Sequence, residues 1–270
     1  MEVLYGLHPV EEAVRAGARR LDSVLLSRDR KDERPDGRVA RLAELCRTSG
    51  VRVSFESRDQ LTRRAGTDAH QGVLALVRER AFLTIEDLLS PKNRTSDAPR
   101  FFLALDGVED PHNLGALIRT ADGAGVDGII LPERRSAPVS ATVAKTSAGA
   151  SEHVRIARVT NLVRSLEQMK QANVWVLGLD ERGTPDYTDF DFRTTDCVLV
   201  LGREGAGLHD LVKKTCDHLL RIPMLGQVSS LNVSVAGAVV MYEALRQRRE
   251  PTPPPAAPPK PTKPRKGLGS

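Results

Sequence analysis

Cysteine and aromatic residues are both scarce in this chain. Its 270 residues include three cysteines, Cys46, Cys197 and Cys216, with no C-x-x-C pair among them. That argues against a disulfide framework and against a zinc site, and no metal is expected. Aromatic residues make up 4% of a chain that is 40% hydrophobic, so its core must be built from Val, Leu, Ile and Ala. No apolar run approaches the roughly 20 residues that cross a bilayer. The N-terminal "MEVLYGLHPVEEAV" has neither the basic start nor the apolar stretch of a signal peptide. Together these absences predict a soluble, cytoplasmic protein with no membrane partner.

A large excess of one charge is also missing. The net charge is +5, but it is unevenly spread. Residues 1–78 carry 15 Lys/Arg against 12 Asp/Glu, and residues 249–270 carry 5 against 1, which leaves the middle of the chain at −2. A polyanion held at the ends, with a near-neutral block between, fits this pattern. Charge by itself leaves nucleic-acid binding and an ordinary arginine-rich surface equally open.

Composition also marks the boundaries. "PTPPPAAPPKPTKPRK" at 251–266 holds eight prolines and almost nothing to bury, so residues 249–270 read as a disordered basic tail. "SPKNRTSDAPR" at 90–100 is polar with two prolines and marks a linker, placed at 79–98. Before it, residues 1–78 alternate "SVLLS", the helical "GRVARLAELCRTSG", "VRVSF" and "HQGVLALV", the pattern of a small α/β domain. After it, residues 99–248 alternate at larger scale. "FFLALD", "DGIIL", "VWVLGL", "CVLVLG" and "HLLRI" are short and apolar on both faces, with helical segments at 113–124, 140–148, 160–171, 207–214 and 231–248. These features predict a parallel sheet covered by helices, whose ligands belong at the carboxyl ends of its strands.

Three of those strand ends carry unusual residues. In "DGVEDPHNLGALIRTADGAG", Pro111 and Asn113 suit a turn and helix start, and Gly115 permits close approach of a backbone or ligand. Arg119 lies six residues beyond Asn113, about a turn and a half along a helix and on an adjacent face. A capped helix with a surface arginine would account for this loop equally well. "LGREGAGL" at 201–208 is glycine-rich but lacks the Lys-Ser/Thr of a P-loop and the spacing of the dinucleotide fingerprint. Glu204 in its middle disfavours a phosphate and suits a neutral or cationic ligand. In "RIPMLGQVSSLNVSVAGAVVMYEAL", Ser229 or Ser230 would suffice to cap the last helix, which leaves Asn232 over.

Taken in order at the ends of one sheet, "NLGALIRTA", "GREGAGL" and "IPMLGQVSSLNVSVA" resemble the three motifs of the SpoU/TrmH branch of the SPOUT RNA methyltransferases. "YGLHPVEEAV" and "HQGVLALV" are similar to the small RNA-binding domain that precedes the methyltransferase domain in the bacterial rRNA guanosine-2′-O-methyltransferases of this branch. The resemblance spans about residues 3–248.

The resemblance implies an α/β fold with a deep trefoil knot at its C-terminal end, an exception to the avoidance of knots by protein chains. It implies S-adenosyl-L-methionine as cofactor, bent in that knot and contacted by Gly202, Ile222 and Leu231. It also implies a homodimer whose active sites lie near the subunit interface, and an RNA substrate, rRNA before tRNA. By the same resemblance Arg119 handles the ribose 2′-hydroxyl, while Asn113, Glu204, Ser230 and Asn232 orient Arg119 and the ribose. Two roles stay open for Arg119, removing the proton or stabilising the developing alkoxide, because an arginine is not readily deprotonated. Two other readings stand beside this one: a tRNA 2′-O-methyltransferase, and a silent RNA-binding or ribosome-assembly protein of the same fold.

Overall fold

A computed structural model describes residues 1–28, 37–93 and 98–249. The proline-rich tail and the centre of the 90–100 stretch lie outside the described residues.

The N-terminal sheet contains β1 (Glu2–Tyr5), β2 (Leu21–Ser27), β3 (Val53–Glu56) and β4 (Val73–Val77), in the order β1-β4-β2-β3. β2 and β3 are parallel, and β4 runs antiparallel to both β1 and β2. Alternate residues of β2 enter different cores. Val24 and Leu26 meet Val10 of α1 (Leu7–Ala16) and Leu42 and Cys46 of α2 (Gly37–Thr48). Leu25 instead meets Leu61 of α3 (Arg58–Ala65). This is the two-residue strand period burying both faces. α3 starts at a capping box between Ser57 and Gln60.

The second sheet is larger and wholly parallel. Its strands are β5 (Phe101–Leu105), β6 (Gly128–Pro132), β7 (Ile156–Val159), β8 (Trp175–Leu179), β9 (Cys197–Leu201) and β10 (His218–Leu220), in the order β10-β8-β9-β5-β6-β7. Phe101, Leu103 and Leu105 face one core, built with α5 (Pro111–Gly123) and α9 (Val233–Arg249). Phe102 and Ala104 face the other, built with α4 (Ile85–Leu89), α7 (Leu162–Gln171) and α8 (Asp210–Thr215). Burial on both faces explains the continuous apolar runs of β5 and β9. Burial also pushes the Cys46 thiol up to about 11 and that of Cys197 up to about 12, so neither is a ready nucleophile at neutral pH.

Two strands were not among the expectations. β1 and β7 are four-residue edge strands. β1 buries only Leu4, and β7 carries the exposed Arg158 between buried neighbours. Four residues that include Glu2 or Arg158 leave too short an apolar run to read as a strand.

The two sheets are joined by buried charge as well as by chain. Glu152, in a 3₁₀ turn before β7, has a fully buried side chain. It accepts from Arg19 Nε at 3.0 Å and Nη2 at 2.9 Å, and it pairs with Arg80 at 3.0 Å. Glu2 also binds Arg19. Nearby, His153 meets Glu12 of α1 at 2.8 Å. Lys145 of α6 (Ala141–Thr146) donates to the Ala69 carbonyl at 2.8 Å. In the segment after the N-terminal sheet, Leu83 pairs with Ala157 of β7, and Leu88 of α4 is buried in the core of the large sheet.

Candidate active site

The order of the large sheet reverses at β5. From β5 the chain steps outward through β6 and β7, then returns to lay β8 and β9 on the other side. The switch point therefore lies between β5 and β9, where open parallel sheets place their ligands. The loops leaving these two strands carry Asn113 and Glu204.

Asp110 caps α5 by accepting from His112 N at 2.9 Å, and Pro111 takes the first helical position. The capping role falls to Asp110, which frees the Asn113 side chain one turn in. Gly115 is the close-approach point the sequence suggests, and its neighbour is protein. A Cβ there would stand 1.8 Å from Thr146 Oγ1, so the glycine lets α6 lie against α5.

The 203–207 loop closes on itself. Arg203 N donates to Gly207 O at 3.0 Å and Gly207 N to Arg203 O at 2.9 Å. Gly205 and Gly207 both have positive φ. A Cβ on Gly202 would stand 2.2 Å from the Gly207 carbonyl carbon, so the glycine is required by the return of the loop. This turn projects Glu204 toward α5 and α9.

Asn232 resolves the question of the surplus residue. Its Oδ1 accepts from Ser234 N at 2.9 Å, Ser234 Oγ at 2.6 Å and Val235 N at 3.4 Å, so it is the cap of α9. The expectation that Ser229 or Ser230 would serve as the cap is corrected, because both lie too early to reach those amides. The Asn232 amide has a second task. Its Nδ2 donates to Asn113 Oδ1 at 3.0 Å and to Glu204 Oε1 at 3.3 Å, while Asn113 Nδ2 donates to Glu204 Oε2 at 3.2 Å. Three residues from three loops thus close a hydrogen-bonded ring.

Beside this ring lies a cavity of about 420 Å³. Gly202, Ile222 and Leu231 line it, as does Ser230. Asp180, Lys213, Leu179 and Met224 also line it, and the reading of the sequence did not single them out. Leu179, Asp180 and Met224 had as their signal only a place at or near strand ends, and Lys213 lies within α8. Asp180 follows β8 and binds Lys213 of α8 at 2.7 Å. Burial pushes the Asp180 carboxyl up, but the Lys213 hydrogen bond and the Arg182 amide more than offset it and hold it below the usual carboxylate range. Four carboxylates and three cations line the cavity, so its wall is slightly anionic.

Arg119 stands apart from this assembly. It is exposed on α5, is not part of the cavity wall, and makes no hydrogen bond or ion pair among the described residues. The structure therefore gathers Asn113, Glu204 and Asn232 directly and Ser230 onto the adjoining wall, and leaves Arg119 open to solvent. Among the described residues there is no His/Cys/Asp/Glu cluster that could hold a metal, and no helix is long and apolar enough to cross a membrane.

The SpoU rRNA Methylase family profile matches residues 100–242, and the profile for RNA 2′-O ribose methyltransferase substrate binding matches residues 3–83. The chain is 40% identical to the 23S rRNA (guanosine-2′-O-)-methyltransferase RlmB of Ralstonia nicotianae, over 92% of this chain and 96% of that protein. It is 39% identical to RlmB of Escherichia coli K12, over 92% and 99%. Among solved structures, it is similar to the AdoMet complex of the SpoU methyltransferase AviRb from Streptomyces viridochromogenes, with TM-score 0.73, 26% identity, and 91% of this chain and 90% of that one covered. An AdoMet-bound rRNA methyltransferase from Sinorhizobium meliloti aligns with TM-score 0.74 at 27% identity, covering 91% and 87%. The parallel α/β sheet is shared with these structures, and the chain belongs to the SpoU rRNA methylase family.

Proposed function

We propose that the protein transfers a methyl group from S-adenosyl-L-methionine to a ribose 2′-hydroxyl of rRNA, on a guanosine of the large-subunit RNA. The observation that carries this reading is the Asn113–Glu204–Asn232 ring beside the cavity at the β5/β9 switch point. The cavity fits the cofactor in size, within the roughly 300–1,000 Å³ of small-molecule sites. It fits in chemistry too, with Leu201, Ile222 and Leu231 as apolar wall and carboxylates toward a cationic ligand. Gly202, Ile222 and Leu231 are the proposed contacts, and the 222–232 segment before α9 is the proposed knotted loop.

When bound, S-adenosyl-L-methionine supplies an electrophilic methyl on a sulfonium centre. The chain supplies position. Asn113 and Asn232 occupy both Glu204 oxygens and hold the carboxylate at the cavity rim, and Ser230 offers a hydroxyl on the same wall. Arg119, exposed and without a side-chain partner among the described residues, is free to engage an RNA phosphate and the ribose oxygen with its planar fork. Its charge favours the developing alkoxide, and the hydroxyl proton leaves to an oxygen of the RNA phosphate or to water.

Residues 1–78 are proposed as the RNA-binding domain, 79–98 as its link to the methyltransferase domain at 99–248, and a homodimer as the working form. Val235 and Tyr242 support the dimer, since they leave large apolar side chains exposed on α9. The test of function is incubation with labelled cofactor and large-subunit RNA, followed by mapping of 2′-O-methyl groups. Methyl incorporation at one guanosine is expected. Cofactor and RNA binding without incorporation would instead identify a silent RNA-binding protein.

A further inference from the structure

Phe55 is the only exposed phenylalanine of the chain's six, with 51% of its surface open. Its position makes this unusual. It lies on β3, the edge strand, directly opposite the fully buried Leu26 of β2. The register thus sets the ring level with the core but past its border.

Among the described residues, a guanidinium lies beside the ring. Arg28 extends the β2–β3 pairing by donating its backbone N–H to Glu56 O at 2.9 Å. Its guanidinium carbon stands 5.9 Å from the Phe55 ring centroid. Glu56, the nearest carboxylate in sequence, is occupied by Arg64 Nε at 2.9 Å. An isolated exposed side chain is ordinary on a protein surface. An exposed ring beside a guanidinium has the chemistry that takes a nucleobase on its face and a phosphate at its rim. A protein partner would call for a broader apolar patch than one ring beside an arginine.

We infer that Phe55 and Arg28 form a stacking site for an unpaired base of the RNA substrate, away from the methyl-transfer centre and on the N-terminal sheet. This rests on the reading of the protein as an RNA methyltransferase. It assigns to the N-terminal sheet a preference for a loop or bulge over a paired helix, because only an unpaired base can leave its neighbours to lie on the ring.

The experiment compares a labelled RNA hairpin bearing an unpaired loop with a fully paired duplex of equal length, by fluorescence anisotropy at several salt concentrations. Phe55→Ala should weaken loop binding by about 5- to 100-fold, as removal of a base-stacking aromatic does, and leave duplex binding unchanged. Phe55→Trp should retain loop binding. The slope of log affinity against log salt should stay constant for Phe55→Ala, which removes no charge, and fall for Arg28→Gln. Cofactor affinity and melting temperature should hold in all three variants. Wild-type RNA binding with an unaffected Phe55→Ala, or an equal loss on loop and duplex, overturns this inference alone. A wild-type chain that binds neither RNA and transfers no methyl overturns the functional reading along with it.

Discussion

Asn232 donates to Asn113 Oδ1 at 3.0 Å across 119 positions of sequence, and the same side chain caps α9 through its other atom. One residue therefore sets where the last helix begins and holds the ring at the β5/β9 switch point. The two tasks can be separated. Asn232→Asp keeps the capping oxygen but places a second carboxylate against Glu204, so the melting temperature should change little while methyl transfer falls at least tenfold. Asn232→Ala loses both, and should also lose about 1 kcal/mol of stability as cap deletions do. Denaturant melts and single-turnover methylation on the same preparations check both outcomes. Equal activity in the Asp variant and wild type would confine Asn232 to its capping role.

Gly202 tests the loop rather than the ligand space. A Cβ there meets the Gly207 backbone, which cannot swing away as a side chain could. Gly202→Ala should therefore cost about 1–3 kcal/mol, the usual range for overpacking, and weaken cofactor binding by displacing Glu204. Calorimetry with S-adenosyl-L-methionine and a thermal melt should show both losses together. A stable variant that binds the cofactor normally would contradict this account of the turn.

Arg119→Ala separates chemistry from structure, because Arg119 is exposed and has no partner among the described residues. Melting temperature and cofactor affinity should hold. The methyl-transfer rate on pre-bound RNA should fall by about 10²–10⁴, the range for a group that assists proton transfer. Lysine should restore only part of it, having charge but no planar fork. A near wild-type single-turnover rate would reduce Arg119 to a surface arginine.

Asp180 should make cofactor binding sensitive to acid. Its carboxyl in the folded chain sits below the usual range despite burial, because Lys213 and the Arg182 amide favour the ionised form. The folded value is thus depressed relative to the unfolded one. The stabilisation is present above the unfolded carboxylate range and is lost as pH falls through the folded value. Lys213→Met removes the opposing cation and leaves burial to raise the Asp180 carboxyl, so loss of cofactor binding on acidification should begin at higher pH. Titrating affinity against pH in both proteins gives the shift, and coincident profiles would exclude it.

Glu152 couples the two sheets. Glu152→Ala leaves Arg19 and Arg80 buried with their shared partner gone, and should destabilise by about 3–5 kcal/mol. The N-terminal sheet should then unfold in a separate transition, visible in urea melts as a second step. A fragment starting at residue 98 carries Glu152 in water without either arginine, and should fold with a lower melting temperature than the full chain. A single unchanged transition in Glu152→Ala would show that the apolar contacts alone hold the sheets together.

Local chemistry made much of this protein legible before any coordinates. Runs such as "FFLAL" and "CVLVL", alternating with helical segments, pointed to a helix-covered parallel sheet, and the structure has that sheet. The spacing within "NLGALIRTA", "GREGAGL" and "VSSLNVSVA" likewise carried the family. Strands β1 and β7 escaped, since four residues that include Glu2 or Arg158 leave too short an apolar pattern. What only the tertiary structure decided are relationships between distant residues. Gly115 faces Thr146, and Gly202 faces its own loop. Asn232, not a serine, caps α9. Asp180 and Lys213 join the cavity wall because β8 and α8 end beside it. Arg119 shares a helix with Asn113 yet not a site within the chain, because six residues turn it to another face. Sequence spacing determines which face a side chain takes along its own helix or strand. Which partner waits there depends on how the loops of several strands converge, and that is a property of packing.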